Sequence, residues 1–400
     1  MEFIFIFGIF LALLFCFING VNDAGNSIAT IVATRALKPL YALILAAVCN
    51  FAGPFVLTTA IAKTIGTGLI IPGILTPDVL VIALVSVVII LVLLTLRGFP
   101  VSASHALIGS MTGSSVAAAG ISVIIWPGID VILTVLLAGT IGALCGSLYL
   151  SFLFWVLKGQ IKYGALSGAI GGFSLSIIVL MTLGYVKISG ILSIFLFIVI
   201  SPTIGFLSAY LLDVVVSYIF RHSRQSTRNR IFFPLQVVTG GLQAMGHGAN
   251  DGMHAVGVIV ALFIAGGLQI GFDAPTWIIL AAAIAIGTGT IFGGWNVITK
   301  MAIGITRIRP YQGFCASTAG GLVISSLTLA GIPTSSTHII SGTIVGVGAT
   351  RGIKAVDWSI VRGIVTTWIV TFPFAFFLSA LLFLAFGSVS AFYSMFLTFV

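Results

Sequence analysis

Long apolar stretches separated by short polar segments dominate this chain. Ten of them approach the length of a helix that crosses the roughly 30 Å hydrocarbon core of a bilayer. They lie near residues 3–20, 40–62, 78–96, 131–157, 166–184, 190–219, 253–271, 276–298, 313–330 and 358–387. Of the 400 residues, 59% are hydrophobic and only 6% are charged, which is too few polar side chains to cover a soluble globule. The sequence therefore predicts an all-α polytopic membrane protein.

The basic residues lie in short segments between the apolar stretches. The formal net charge is +9, and Arg221, Arg224, Arg228 and Arg230 share one polar loop. This arrangement is typical of positive-inside topology and not of a nucleic-acid-binding face. We therefore expect a multi-pass protein of the plasma membrane, with loop 221–230 in the cytoplasm and no nucleic-acid partner. Contact with anionic lipid is a second role for this loop.

Two motifs occur twice in the same order. The first surrounds an Asn-Asp pair, and Asn250 follows Asn22 by 228 residues. The second contains Gly, Pro, hydroxyl residues and His, and Pro333 follows Pro100 by 233 residues. Such similar offsets indicate a duplicated chain, as many transporters have.

The predicted halves are residues 1–157 and 231–400. Residues 158–230 would connect them with scaffold helices and the basic loop.

The Asn-Asp pairs suggest a cation site. A carboxylate in the middle of a bilayer costs roughly 2.5 to 3.5 kcal/mol on insertion scales, so Asp23 and Asp251 are expected to have a use. Glycines flank both pairs, so the backbone is predicted to leave helical geometry there and form broken helices. The oxygen atoms of Asp, Asn, Ser and Thr suit sodium better than a transition metal. The alternative is that each Asp only caps a helix.

The second motif suggests an anion site. Its proline suits the first turn of a helix, where free amides and hydroxyls can hold an anion without a fixed cation. The predicted donors are Ser102, Ser104, Ser335, Ser336 and Thr337. The alternative is that these hydroxyls cap helices or bond to the preceding turn.

The histidines of the second motif, His105 and His338, are expected mainly to pack in the core, although either could contact the anion or relay protons. Ser104 precedes His105 directly, but neighbouring helical residues point in different directions, so this pair does not predict a hydrolase. We expect no enzyme activity.

Neither motif contains Lys or Arg, although the second is suited to an anion. The balancing cations must then arrive with the substrate, because each bound species lowers the desolvation cost of the other. This predicts a symporter more than a channel.

The motifs resemble those of the inorganic phosphate transporter (PiT) family, which includes sodium-phosphate symporters and proton-linked bacterial permeases. The stretches that carry the resemblance are Gly20–Ser27, His247–Asp251, Ile308–Cys315 and Gly331–His338. The resemblance implies two inverted repeats with re-entrant hairpins, about twelve membrane elements, and a phosphate site between the repeats near the midplane.

The same resemblance implies roles for particular residues. Asp23, Asp251, Asn22 and Asn250 would bind sodium, while Asn26 would join the paired Ser and Thr residues around phosphate. Gln236, Gln243, Asn50 and Ser317 would lie around this site. Sodium-coupled animal members often carry acids in place of the last two, so ion stoichiometry could differ.

We therefore predict a sodium/phosphate symporter that imports inorganic phosphate by alternating access, with sodium as co-substrate and no cofactor. Three alternatives stay open: a proton-coupled phosphate or metal-phosphate permease, a sulfate permease, and an anion channel. The sequence does not fix affinity, resting conformation or homo-oligomer formation.

Overall fold

The protein is a bundle of helices in a computed structural model, which describes residues 2–71, 73–156, 161–186 and 190–387. Helices make up 82% of it, and the described residues contain no β-strand. The helices are α1 Glu2–Thr34, α2 Pro39–Val56, α3 Ala60–Thr67, α4 Pro77–Leu96, α5 Ala103–Ala119, α6 Ile129–Val156, α7 Ile161–Thr182, α8 Ile191–Ile219, α9 Gln225–Ala265, α10 Thr276–Phe292, α11 Trp295–Thr299, α12 Pro310–Leu329, α13 Ser336–Ala349 and α14 Trp358–Phe386. The all-helical prediction is confirmed.

Eight of the described helices are long and apolar enough to cross a membrane: α1, α2, α4, α6, α7, α8, α9 and α14. A ninth span arises if α10 and the segment 295–304 count as one helix with a 68° bend. Three predicted stretches differ from this set. The stretch 313–330 corresponds to α12, which is not among these candidate spans. The stretch 40–62 is interrupted after Val56, and 253–271 covers only the end of α9, which begins at Gln225.

The order of elements is the same after each Asn-Asp helix. Both α4 and α12 have 20 residues and a proline in their first turn. Both α5 and α13 begin after a serine, Ser102 or Ser335, whose hydroxyl accepts the amide of a histidine three residues later. The inversion of one half and the boundaries 1–157, 158–230 and 231–400 stay predictions. Residues 157–160 and 388–400 lie outside the described residues.

Two helical hairpins, α4–α5 and α12–α13, enter the bundle from opposite ends. The segment after α5 contacts the first residue of α8, where the Ile191 amide donates to the Ile125 carbonyl. The end of α13 instead contacts the other end of α8, where the Thr350 hydroxyl donates to Asp213. The hairpin tips, residues 97–102 and 330–335, therefore meet inside the molecule.

The two Asn-Asp helices, α1 and α9, run antiparallel, and both are continuous through their Asn-Asp pairs. The prediction that the backbone unwinds there is wrong. The flanking glycines permit close helix contact instead: a methyl group on Gly20 would collide with the Ile286 carbonyl, and one on Gly248 with the Asn50 carbonyl. The breaks in helical structure lie at the hairpin tips and between α10 and α11.

Candidate functional site

The carboxylates of Asp23 and Asp251 lie close together in the centre of the molecule. They come from α1 and α9, and each residue is only 1% exposed. His247 lies between them, with its Nε2 atom 3.3 Å from an Asp23 oxygen and 3.5 Å from an Asp251 oxygen. Ligand atoms of these three residues lie within 4.8 Å of one another, close enough to hold one small cation. The structure therefore brings together the two acids that the sequence singled out.

Each carboxylate also accepts hydrogen bonds from neutral side chains. Asn19 and Asn250 donate to Asp251 at 2.9 and 2.6 Å. The hydroxyls of Ser336 and Thr337 donate to Asp23 at 3.2 and 3.3 Å, and they come from the start of α13. One hairpin thus contacts the acid of the opposite half directly.

Asn22 and Asn250 connect the Asn-Asp helices to the hairpins. The Asn22 amide donates to the Thr95 hydroxyl at 2.8 Å and to the Phe99 carbonyl at 3.3 Å. The Asn250 amide donates to the Thr334 carbonyl at 2.9 Å. Both amide groups are engaged as donors, whereas their oxygens have no hydrogen-bond partner.

Several buried oxygen atoms around the acids have no hydrogen-bond partner. They are Asn19 Oδ1, Asn22 Oδ1, Asn26 Oδ1, Asn250 Oδ1 and Gln243 Oε1. A buried oxygen without a partner costs roughly 1 to 3 kcal/mol, so a bound cation would relieve this cost. Carboxylate and amide oxygens are the donor set that a hard cation prefers, and the residues therefore fit sodium.

The predicted phosphate residues gather at the two hairpin tips. Thr337 accepts a hydrogen bond from Asn26 at 2.9 Å and donates to the Val101 carbonyl at 3.2 Å. Ser104 donates to the Thr334 carbonyl at 3.2 Å. Thr337 and Ser104 therefore each donate to the tip of the opposite hairpin. Rotation of either hydroxyl would direct its hydrogen toward a bound anion instead.

Ser102 and Ser335 have a different geometry, because each caps the helix that follows it. Their hydroxyls accept the amides of His105 at 3.3 Å and His338 at 3.4 Å. This is the alternative that the sequence left open for the hydroxyl motif.

His105 and His338 pack against each other behind the tips, with ring centroids 4.8 Å apart. The His338 ring also contacts Trp368 of α14, at 4.0 Å between centroids. Both ring nitrogens of His338 and the Nδ1 atom of His105 lack a hydrogen-bond partner. The two rings therefore pack the hairpins together, and these three ring nitrogens remain available for a hydrogen bond.

Three of the four remaining predicted residues contact α1. Gln236 and Gln243 donate to the carbonyls of Thr30 and Asn26, each at 2.7 Å. The Ser317 hydroxyl lies 2.7 Å from that of Thr30.

Asn50 is placed differently, because it contacts His247 Nδ1 at 3.1 Å and donates to Thr290 at 2.8 Å. Asn50 and Ser317, which the family resemblance grouped, therefore have different partners.

The sequence prediction missed Asn19 and His247 as site residues. Each precedes its Asp by four residues, so in a continuous helix it lies on the same face as that Asp. This spacing was visible in the sequence, but it places the two residues on one face only if the helix is continuous. The sequence analysis predicted unwound backbone there and therefore did not use the spacing. Thr95 and Thr334 were also missed, because their contacts depend on how the hairpins fold back.

The site has a strongly uneven charge distribution. Among the described residues, His247 is the only basic side chain that forms an ion pair with either central carboxylate. The site can therefore attract small cations to its acids and offer hydroxyl and amide donors to an oxyanion.

Comparison with known proteins identifies the family. The model of the phosphate transporter family (PHO4) matches residues 19–164 and 163–379. The "Probable low-affinity inorganic phosphate transporter" of Rhizobium meliloti (strain 1021) is 37% identical over 375 residues, which cover 94% of each chain. A protein of the same name from Bacillus subtilis (strain 168) is 33% identical, over 92% of this chain and 93% of that one.

A solved structure supports the fold. The structure titled "The sodium-dependent phosphate transporter" superimposes with a TM-score of 0.68 and covers 96% of this chain and 99% of its own. At 24% sequence identity, this similarity establishes the shared fold. Relatives in the family are named as transporters or permeases, so the chain is a transport protein and not an enzyme. With its two matched motifs and central acids, this chain belongs to the phosphate transporter family.

Proposed function

We propose that this protein is a secondary active transporter that imports inorganic phosphate together with sodium ions, by alternating access to a site between its two halves. The observation that carries the proposal is the meeting of Asp23 and Asp251 among buried oxygen atoms without partners. Two adjacent carboxylates in a site that must also admit an anion need cations. Since no Lys or Arg among the described residues pairs with these acids, the cations would come with the substrate.

Sodium is the proposed cation because the available ligands are oxygen atoms. Asp23, Asp251, Asn22 and Asn250 would provide them. The name of the structural neighbour, a sodium-dependent phosphate transporter, supports this choice.

Phosphate is the proposed substrate because relatives across most of the chain carry it in their names. It would bind at the hairpin tips beside the cations. Asn26, Ser104, Ser336 and Thr337 would act as donors. Ser102 and Ser335 would orient the first turns of α5 and α13, whose amides point to the same region.

Alternating access would use the two hairpins as separate gates. Each reaches the centre from one end of the molecule, and the tips meet through a few hydrogen bonds such as Thr337 to Val101 and Ser104 to Thr334. Displacing one hairpin would open one path to the site, and the other hairpin would keep the opposite path closed.

Proton coupling is the second candidate, and one observation favours it. His247 contacts both central carboxylates, and an imidazole in this position is a proton carrier beside them. This alternative predicts uptake driven by a pH gradient in the absence of sodium.

Uptake of radiolabelled phosphate into proteoliposomes tests the proposal. We expect accumulation with an inward sodium gradient and none with choline at equal pH. Equal uptake in both salts, increased by an acidic exterior, would support proton coupling instead. Sulfate in tenfold excess serves as a specificity control, because strong competition would point to a general oxyanion permease. Phosphate currents without accumulation would indicate a channel.

A further inference from the structure

A cavity of about 630 Å³ lies away from the central site, where the segments before α12 and after α13 meet. Arg307, Arg351 and Lys354 line it, together with Asp357 and Trp358. All five residues are exposed, so the cavity opens to the surface. The function proposed above does not use any of them.

The protein balances only part of the positive charge of this cavity. In the ranges that the structure describes, Arg307, Arg351 and Lys354 form no ion pair with a carboxylate. The acid of the cavity, Asp357, caps α14, and its carboxylate accepts the amides of Ser359 and Ile360 at 3.0 and 3.3 Å. Three cations therefore line the cavity with one carboxylate that is already hydrogen-bonded. Asp213, which also attracts Arg351, accepts hydrogen bonds from Gln312 and Thr350.

Arg351 is held in place for binding. One of its guanidinium nitrogens donates to the buried Thr306 hydroxyl at 2.9 Å, which fixes the side chain beside the cavity. Partial burial, together with the nearby Arg309, lowers the pKa of Arg351. A bound anion would offset both effects, and the planar guanidinium suits two parallel bonds to phosphate oxygens.

The mouth of the cavity has an apolar edge. Ile303 and Trp358 line it and are 64% and 44% exposed. The Trp358 indole donates to the Ile353 carbonyl at 2.8 Å, which holds the ring in position. Tryptophan beside basic residues is typical of the membrane–water boundary.

The cavity lies at the same end of the molecule as the basic loop. In the structure the predicted loop is helical from Gln225 onward, so Arg228 lies near the start of α9. Its guanidinium carbon lies 6.0 Å from the ring centroid of Tyr311, which follows shortly after Arg307. If the loop is cytoplasmic, the cavity faces the cytoplasm as well.

We propose that this cavity is a second anion site, which binds a phosphate group through Arg307, Arg351 and Lys354. Two sources share this chemistry: the headgroup of an anionic phospholipid and a free phosphate ion on the cytoplasmic side. The apolar edge suits the lipid, and the open mouth admits the ion.

Charge-removing variants test the proposal on the full-length chain. The cavity variant combines Arg307→Gln with Lys354→Gln, because both side chains are exposed and their loss leaves the Arg351–Thr306 contact intact. The control combines Arg35→Gln with Lys38→Gln, which removes the same charge from exposed positions outside both the cavity and the basic loop. Gel filtration and thermal unfolding establish that both variants are folded, and single Lys354→Gln replaces the cavity variant if it is not.

The first arm measures retention of phosphatidylglycerol on the detergent-purified protein by native mass spectrometry, with phosphatidylcholine as the neutral reference. The second arm measures bound inorganic phosphate per chain by equilibrium dialysis in a maltoside detergent, with choline in place of sodium, because the proposed central site needs sodium to bind phosphate and then does not contribute. At least a fivefold loss in the cavity variant, with the control unchanged, supports the proposal. A loss in the first arm identifies a lipid, and a loss in the second identifies the free ion. If both arms give wild-type values for the cavity variant, the proposal is wrong.

Discussion

At the scale of single residues, the central acids determine how the site handles charge. Asp23 and Asp251 have His247 as a shared neighbour and are otherwise surrounded by neutral donors. Because such a pair repels itself in a low-dielectric interior, a cation between the acids stabilises both. Under the proposed function, cation binding is a condition for bringing an anion close to the same point.

Asp23→Asn and Asp251→Asn are expected to impair coupled uptake without preventing folding. Each change keeps the size of the side chain and removes one charge from the cation site. Loss of one partner from a buried charged pair costs roughly 2 to 5 kcal/mol, or at least about 30-fold in sodium affinity. The measurement is the sodium concentration that gives half-maximal phosphate uptake.

The matched control for these variants is Asp130→Asn, an exposed acid in the first turn of α6. Its uptake should equal that of the wild type. Wild-type sodium dependence in both central variants would rule out these acids as sodium ligands.

At the scale of helices, glycine sets the distance between neighbours. Helices α1 and α10 approach each other at Gly20 and Gly289, and helices α9 and α2 do so at Gly248 and Gly53. In each case a glycine of one helix lies against the backbone of the other. The contacts cross between halves, because α2 follows α1 in sequence but packs closely on α9. These contacts position both Asn-Asp helices.

Gly248→Ala tests this role. The added methyl group would collide with the Asn50 backbone, and overpacking of this kind costs roughly 1 to 3 kcal/mol. We expect lower thermal stability and reduced uptake, since Asn50 also contacts His247.

Gly363→Ala in α14 is the matched control for this change, because nothing lies within 4 Å of the added Cβ. It should be neutral or stabilise the helix by up to about 1 kcal/mol. Equal melting temperatures for the two variants would contradict the packing role of Gly248.

Helix continuity also explains what the sequence predicted and what it did not. The all-helical fold and the importance of Asp23 and Asp251 followed from hydropathy and repetition. The roles of Asn19 and His247 did not, because glycine beside a polar pair was interpreted as unwound backbone. In the sequence, Gly20 and Gly248 are equally compatible with a bent helix and with a close contact between two helices. Only the position of the neighbouring helix distinguishes these two alternatives.

At the scale of the whole molecule, α9 defines the two ends. Its 41 residues extend about 60 Å at 1.5 Å per residue, more than the thickness of the hydrocarbon core. The basic segment 221–230 runs into its first turns, and the segment 266–275 follows it at the other end. The positive-inside rule predicts that the basic segment lies in the cytoplasm and the later segment outside.

Labelling of single cysteines with a membrane-impermeant maleimide tests this topology in intact cells. In a Cys145→Ser background, Asp273→Cys should react from outside, whereas Ser226→Cys should react only after permeabilisation; both positions are exposed. The background without added cysteine gives the baseline. The reverse pattern would invert the topology and place the basic cavity outside.

The convergence of the two hairpins could not be predicted from either motif alone. Ser104 contacts Thr334, and Asn22 contacts Phe99, so the site depends on chain segments more than 70 residues apart. Local spacing indicates that each segment begins a helix. It contains no information about which opposite tip the segment meets.

The meeting of the two hairpin tips has a consequence for leakage. If each hairpin is the proposed gate at its own end of the molecule, an ion can pass straight through only when both are displaced at the same moment. If the two displacements are independent, their free-energy costs add, so the probability of an open path is the product of two small populations. Two modest barriers in series therefore hold back a concentration gradient, and neither hairpin alone needs to be rigid enough to seal the membrane.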